Sequence, residues 1–360
     1  MNAHSDQASL NDASFGGGTV APRPVHKTHR FKLLLLREFW EHKGGFFWAP
    51  LVAGAIFLLV TLMGMGVGEM ALSRADGNVQ VNGQQVSIQG LDLGRITSNM
   101  SAQDMQQFSQ GINGALYIAA GWSLLVFGFV VFFYLLGALY DERKDRSVLF
   151  WKSLPISDAE TVLSKVAMAI VVGPLIAIAA GLVTMLGFLL LLGLFAALHG
   201  ANPMSLVWGP ANPLDVMANI LGSLPIYALW ALPTVGWLLL CSSWARSKPF
   251  LWAIMIPVFA GILIGWFQLM HVIDIDATWY WRNIAGRLLT STWPGTSLAY
   301  AAAQETAMSG REVMIESIKP YAVVGANYQL LLNPSTWIGA VAGAAMIFGA
   351  IRMRRYRDEG

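Results

Sequence analysis

Residues 140–165 read YDERKDRSVLFWKSLPISDAETVLSK, the most highly charged stretch of a chain that is otherwise rich in apolar residues. Charge-free runs lie on both sides of it, from Asp104 to Asp141 and from Lys165 to Asp215. Each is long enough for a helix of about 20 residues to cross the hydrocarbon of a bilayer. A charged stretch between two such runs belongs at a membrane surface, and the chain can be read outward from it.

Four more charge-free runs lie between Lys43 and Glu69, Asp215 and Arg246, Lys248 and Asp274, and Lys319 and Arg352. The pattern predicts an all-α membrane protein of six transmembrane helices, near 46–66, 115–139, 168–195, 218–241, 250–270 and 334–351. Composition agrees: of 360 residues, 55% are hydrophobic and 12% charged, about half the charge of a soluble domain. The third run is too long for one span and too short for two with a turn. It reads as a tilted or kinked helix with Pro174 at the kink. Pro225, Pro233 and Pro257 fall in later spans, where neighbouring helices satisfy freed carbonyls.

Seventeen of the 23 Lys and Arg fall on one side of this arrangement. They are in the N-terminal segment, the 140–165 stretch, the loop carrying Arg246 and Lys248, and the C-terminal RMRRYR. Arg74, Arg95, Arg282, Arg287, Arg311 and Lys319 are spread over two long loops on the other side, about 67–114 and 271–333. The bias places both termini and the 140–165 stretch in the cytoplasm, with the chain in the cell (inner) membrane.

Residues 1–28 are rich in Ser, Asn, Asp, Gly and Pro and read as a disordered cytoplasmic tail. The six-span domain covers 29–355, and 356–360 form a short cytoplasmic end. Before the first span, HRFKLLLLREFWEHKGG places Phe31, Leu34, Leu35, Phe39 and the ring of Trp40 on one helical face. This predicts an interfacial elbow helix carrying Arg37, Glu38 and Trp40, with Gly44 and Gly45 allowing a sharp turn into the membrane. In the first outer loop, NVQVNGQQVSIQ alternates around Asn82-Gly83 and reads as a small β-hairpin. Ser101 and Asp104 predict the cap of a short helix. In the second, Trp279, Tyr280, Trp281 and Trp293 suit an outer interface, with helix broken at Pro294-Gly295.

Within the central stretch, Val148, Leu149, Trp151 and Leu154 alternate with Arg146, Lys152 and Ser153. This predicts a short amphipathic helix ending before Pro155, then a fresh helix capped by Ser157 or Asp158 that leads through Lys165 into the third span. One reading is a solvated loop that merely obeys the positive-inside rule. The other is a docking surface, since Phe150 and Trp151 on a cytoplasmic loop need lipid or a partner to cover them.

Glu142-Arg143, Ser147, Ser153-Leu154-Pro155-Ile156-Ser157 and Lys165 resemble the signature loop of ABC transporter permeases of the ABC-2 type. The six spans, the LLREFW elbow and the outer segment between spans five and six are similar to that family too, over roughly residues 30–355. Arg146 departs from the family's usual Gly and Ser147 from its usual Thr, and the first outer loop is larger than in many relatives. The resemblance implies that the 142–156 loop carries a coupling helix docked on a separate ABC ATPase subunit, present in two copies. Glu142, Arg143, Arg146, Leu149, Trp151, Lys152, Leu154 and Pro155 would form that contact, with a second at Arg246 and Lys248. It also implies a second permease chain, identical or homologous, and export driven by alternating access.

Other chemistries find little footing. No G-x-x-x-x-G-K-[ST] loop occurs, so ATP would be bound by the partner and no cofactor by this chain. Cys241 is the only cysteine, and the six histidines lie in tails, loops or span edges, with no H-E-x-x-H or G-x-S-x-G. Glu142-x-x-x-Arg146 reads as an i,i+4 ion pair rather than part of an intramembrane protease, so no catalytic or metal site is expected. RMRRYR directly follows a span and suits anionic membrane lipid better than nucleic acid. Tyr227, Gln268, Asn219 and Thr234 either line a path or hydrogen-bond between helices. The expected function is the permease subunit of an ATP-driven exporter; the alternative is a non-transporting membrane scaffold or sensor.

Overall fold

The computed structural model describes residues 27–74, 78–81, 84–87, 93, 100–147, 153, 156–271, 276–300 and 328–356. In chain order these form α1 (Lys27–Glu41), α2 (Gly44–Ala71), strands β1 (Asn78–Val81) and β2 (Gln84–Ser87), α3 (Ala102–Lys144), α4 (Asp158–Leu198), α5 (Pro213–Gly222), α6 (Leu224–Trp244), α7 (Pro249–Leu269), α8 (277–290) and α9 (Pro334–Tyr356). Six of them, α2, α3, α4, α6, α7 and α9, are long and apolar enough to cross a membrane. This is the architecture of a multi-pass membrane protein. The Lys- and Arg-rich ends of α1, α3, α4, α6, α7 and α9 gather at one end of the bundle, the basic end below.

Helix α3 departs from the expected short outer helix followed by a separate span. Ser101 caps it with a reciprocal Ser101–Asp104 box (Asp104 N to Ser101 Oγ 3.2 Å, Ser101 N to Asp104 Oδ2 3.1 Å). The helix then runs 43 residues, about 65 Å, twice the thickness of the hydrocarbon. The third span is likewise one 41-residue helix. Its irregularity falls at Met168–Val172, a π-helical turn immediately before Pro174. A π turn offers a way round the backbone donor that proline lacks. Gly44 and Gly45 also sit in a π-helical turn, Gly44–Trp48, and neither has a positive φ; the elbow joins the first span through a widened helix rather than a glycine corner.

β1 and β2 pair antiparallel, with Val79 opposite Val86 and Val81 opposite Gln84. Asn82 and Gly83 lie outside the described residues, as do residues 1–26 and most of the stretch expected to form a coupling helix, including Leu149, Trp151, Lys152, Leu154 and Pro155.

The bundle is assembled by close backbone approach as well as by apolar side chains, as expected where lipid and protein interior are equally greasy. α6 and α9 meet at Gly236 and Gly343. A Cβ on Gly236 would strike the Gly343 carbonyl oxygen, and one on Gly343 would strike the Leu232 carbonyl group. Phe46, Phe127, Val131, Leu135, Met168, Leu238 and Leu239 fill the core where α2, α3, α4 and α6 converge.

The segment after α7 does not lie flat on an outer surface. It turns back into the bundle. Tyr280 Oη donates to the Pro257 carbonyl at mid-α7 (2.9 Å), and Thr234 Oγ1 at mid-α6 donates to the Arg287 carbonyl (2.6 Å). Tyr227 Oη donates to the Thr292 carbonyl (3.1 Å). Trp293 reaches the middle of α3, its ring centroid 5.1 Å from that of Phe129 and 5.6 Å from that of Phe132. It fits there because residue 128 is glycine: a Cβ would overlap the indole. Trp279 and Trp281 stay exposed, while Tyr280 is buried. The helix breaks at Pro294-Gly295 as the sequence predicts, with Gly295 at φ 95°. Of the polar span positions, Tyr227, Thr234 and Gln268 (accepting from Ala277 N, 3.0 Å) all hydrogen-bond to this re-entrant segment. Asn219 lies in α5, before the fourth span.

Candidate functional site: a buried charge cluster at the basic end

α1 packs two apolar stripes outward and inward at once. Leu33, Leu36 and Trp40 are exposed, so Trp40 is not on the inward face, whereas Leu34 and Glu38 are buried. A carboxylate on the inward face of such a helix must find a cation, since burying an unpaired charge is costly. Glu38, 0% exposed, finds Lys165, 2% exposed: Lys165 Nζ lies 2.9 Å from Glu38 Oε1. The other Glu38 oxygen accepts from Tyr134 Oη at 2.8 Å.

Lys165 Nζ also lies 3.0 Å from Glu142 Oε1. Glu142 Oε2 is in turn 2.6 Å from Arg354 NH1, and Arg354 Nε is 3.1 Å from Asp158 Oδ1. Arg37 completes the set, 3.9 Å from Glu142 and 3.2 Å from Glu41. Glu38, Glu142 and Asp158, with the half-exposed Glu41, thus face Arg37, Lys165 and Arg354. Four elements far apart in sequence, α1, α3, α4 and α9, are fastened at one point.

Capping sets the α4 side of the cluster. Ser157 and Glu160 form a capping box (Glu160 N to Ser157 Oγ 3.1 Å, Ser157 N to Glu160 Oε2 3.0 Å), worth about 1 kcal/mol. This fixes the start of α4, so Asp158 in the first turn meets Arg354 and Lys165 two turns on meets both glutamates.

A second link joins α3 to the end of α6. The α3 helix loosens at Leu139, φ −106°, and Ser242 of α6 takes up the freed groups. Its Oγ donates to the Leu136 carbonyl (2.7 Å) and accepts from the Leu139 and Tyr140 amides (3.0 Å each). Arg143 then donates to the carbonyls of Ser242 (2.7 Å) and Ala245 (2.8 Å). The α6–α7 turn beyond Ala245 exposes Arg246 and Lys248, the latter left-handed at φ 48° and followed by Pro249 at the start of α7.

The residues expected to form one docking surface therefore separate into two kinds. Glu142 is buried and paired with Lys165 and Arg354, not with Arg146 at i+4. Arg143 is half-buried and ties two loops together. Arg146, Arg246 and Lys248 are exposed. Arg146 adopts φ 55°, a backbone conformation that favours glycine. Among the described residues no group of three or more His, Cys, Asp or Glu is placed to hold a metal ion.

Sequence reasoning missed Tyr134, Asp158, Ser242 and Arg354 as partners in this cluster. The signal within reach was Glu38: one acid on the apolar face of an amphipathic helix requires a buried cation. Arg287 was also missed. Counted as an outer-loop charge, it is 6% exposed inside the bundle, donates to the Ser335 carbonyl (2.6 Å) and lies 4.2 Å over the Trp230 ring. No protein-family model, curated protein or solved structure matches the chain.

Proposed function

We propose that the chain is the membrane-spanning subunit of an ATP-driven exporter of the ABC-2 type, worked by a separate ATPase that docks on the 142–156 loop from the cytoplasm. The single observation that carries this reading is the way that loop is held. Its two ends are clamped to α1 and α9 by the Glu142–Lys165–Arg354 cluster. The first of these ends is also clamped to the end of α6 by Arg143. A push on residues 148–155 would therefore reach several spans together, while a solvated loop with no mechanical duty needs no buried ion pairs at its base. The quoted resemblance of this loop to ABC-2 permeases and the positive bias of the basic end support the same reading.

In this mechanism ATP closes two ATPase subunits, the loops of two permease chains move with them, and the spans exchange inward- and outward-facing arrangements. ATP must favour one arrangement by several kcal/mol for the switch to be effective, on the order of 5 kcal/mol for near-complete reversal of a population. The re-entrant 277–297 segment, wedged against α3, α6 and α7, would be carried along with them. The spans offer the cargo mainly apolar surface, which favours an apolar or amphipathic substrate.

The test is ATP hydrolysis by the chain together with its ATPase. Replacing Trp151 or Leu154 by Asp should uncouple hydrolysis from the permease while leaving the folded chain in the membrane. Unchanged coupling in both variants would remove the docking role from this loop.

A further inference from the structure

Beside the charge cluster, the start of α4 and the last turns of α9 enclose an open groove of about 550 Å³. Ile156, Phe348 and Ile351 give it an apolar wall, and Phe348 is 63% exposed toward the surroundings of the bundle. Arg352, Arg355 and Tyr356 form its rim, with the Arg352 guanidinium 5.5 Å over the Tyr356 ring. Asp158 also lines the groove, but its carboxylate is engaged by Arg354. Arg352 and Arg355 have no carboxylate within 4 Å among the described residues, in contrast to Arg354 between them.

We infer that this groove binds one anionic phospholipid, its phosphate between Arg352 and Arg355 and one acyl chain along Phe348 and Ile351. The groove lies where α9 ends, at the level where headgroups begin, and two guanidinium groups with no carboxylate partner among the described residues, above an apolar wall, match a headgroup above its tail. Arg is suited to the task because its planar fork binds phosphate oxygens in pairs. Arg354 stands between the two lipid-binding arginines, and Asp158 is shared by groove and cluster. An occupied groove therefore holds α9 against α4 and supports the clamp. The inference rests on the basic end facing an anionic leaflet, and does not require the ATPase.

The experiment is native mass spectrometry of the full chain purified in mild detergent, with phosphatidylglycerol or phosphatidylcholine added at equal concentration. Wild type should retain phosphatidylglycerol roughly ten- to thirtyfold better than phosphatidylcholine, and the R352Q/R355Q double variant should lose that preference. The R352K/R355K variant should keep most of it, since the charge remains. No preference in wild type would overturn the proposal whatever the variants do. Equal preference in wild type and the Gln variant would overturn it as well. A fall in the dimer fraction of the Gln variant without loss of lipid would assign the groove to a second copy of the chain instead.

Discussion

Lys165→Met tests the charge cluster most sharply. Lys165 Nζ lies within 3.0 Å of carboxylate oxygens from two different helices, Glu38 Oε1 at 2.9 Å and Glu142 Oε1 at 3.0 Å. Removing it leaves Glu142 with Arg354 but leaves Glu38, fully buried, with only the Tyr134 hydroxyl among the described residues. Breaking a buried pair from one side costs about 3–5 kcal/mol, because an uncompensated charge stays behind. Glu38→Met is milder, roughly 1–3 kcal/mol, since Lys165 keeps Glu142. The double variant removes both charges and leaves two flexible apolar chains in the same space, so it should fall within about 2 kcal/mol of wild type. The two single costs, about 4–8 kcal/mol together, then exceed the double by at least about 2 kcal/mol, a coupling far above the few tenths seen for independent sites. Reversible unfolding in mixed detergent micelles, followed by tryptophan fluorescence, measures all four corners of the cycle. Costs that add within about 0.5 kcal/mol would refute the clamp.

Other outcomes follow from the same geometry. Arg143→Ala should lower ATPase coupling with little loss of folded chain, and Arg143→Lys should not restore it, because one ammonium cannot reproduce the fork across the Ser242 and Ala245 carbonyls; recovery by Lys would argue against that link. Gly128→Leu should destabilise the chain by about 1–3 kcal/mol by expelling the Trp293 ring, and adding Trp293→Ala should recover much of it; no recovery would argue against the re-entrant placement. A cysteine at Ser247, in a Cys241→Ala background, should react with a membrane-impermeant maleimide only after cells are opened. Labelling of intact cells would put the basic end outside and end the transport reading.

The six spans were legible because hydrocarbon imposes a length and a composition that any charge interrupts. Even there the sequence understated α3, which runs unbroken from Ala102 instead of forming a short outer helix and a separate span starting near 115. The depth of the 277–297 segment had no local signal. Arg282 and Arg287 marked it as an outer loop, and only tertiary partners, Gly128 for Trp293 and Thr234 for Arg287, let it enter the bundle. The charge cluster was half legible. Glu142, Lys165 and Glu38 stood out in motifs, but pairing between positions 38, 142, 165 and 354 is a property of the fold and leaves no spacing to read. Arg354 was indistinguishable from its neighbours Arg352 and Arg355 until α9 was seen to turn it inward.

The claim on which the rest depends is that a second polypeptide supplies the energy. Gentle affinity purification of the full chain from its native membrane, with ATP and Mg²⁺ present, measures this directly by what is recovered beside it. The account predicts an ATPase with a phosphate-binding loop in one copy per permease chain, released by Trp151→Asp. Recovery of the chain alone, or with partners that bind no nucleotide, would contradict it.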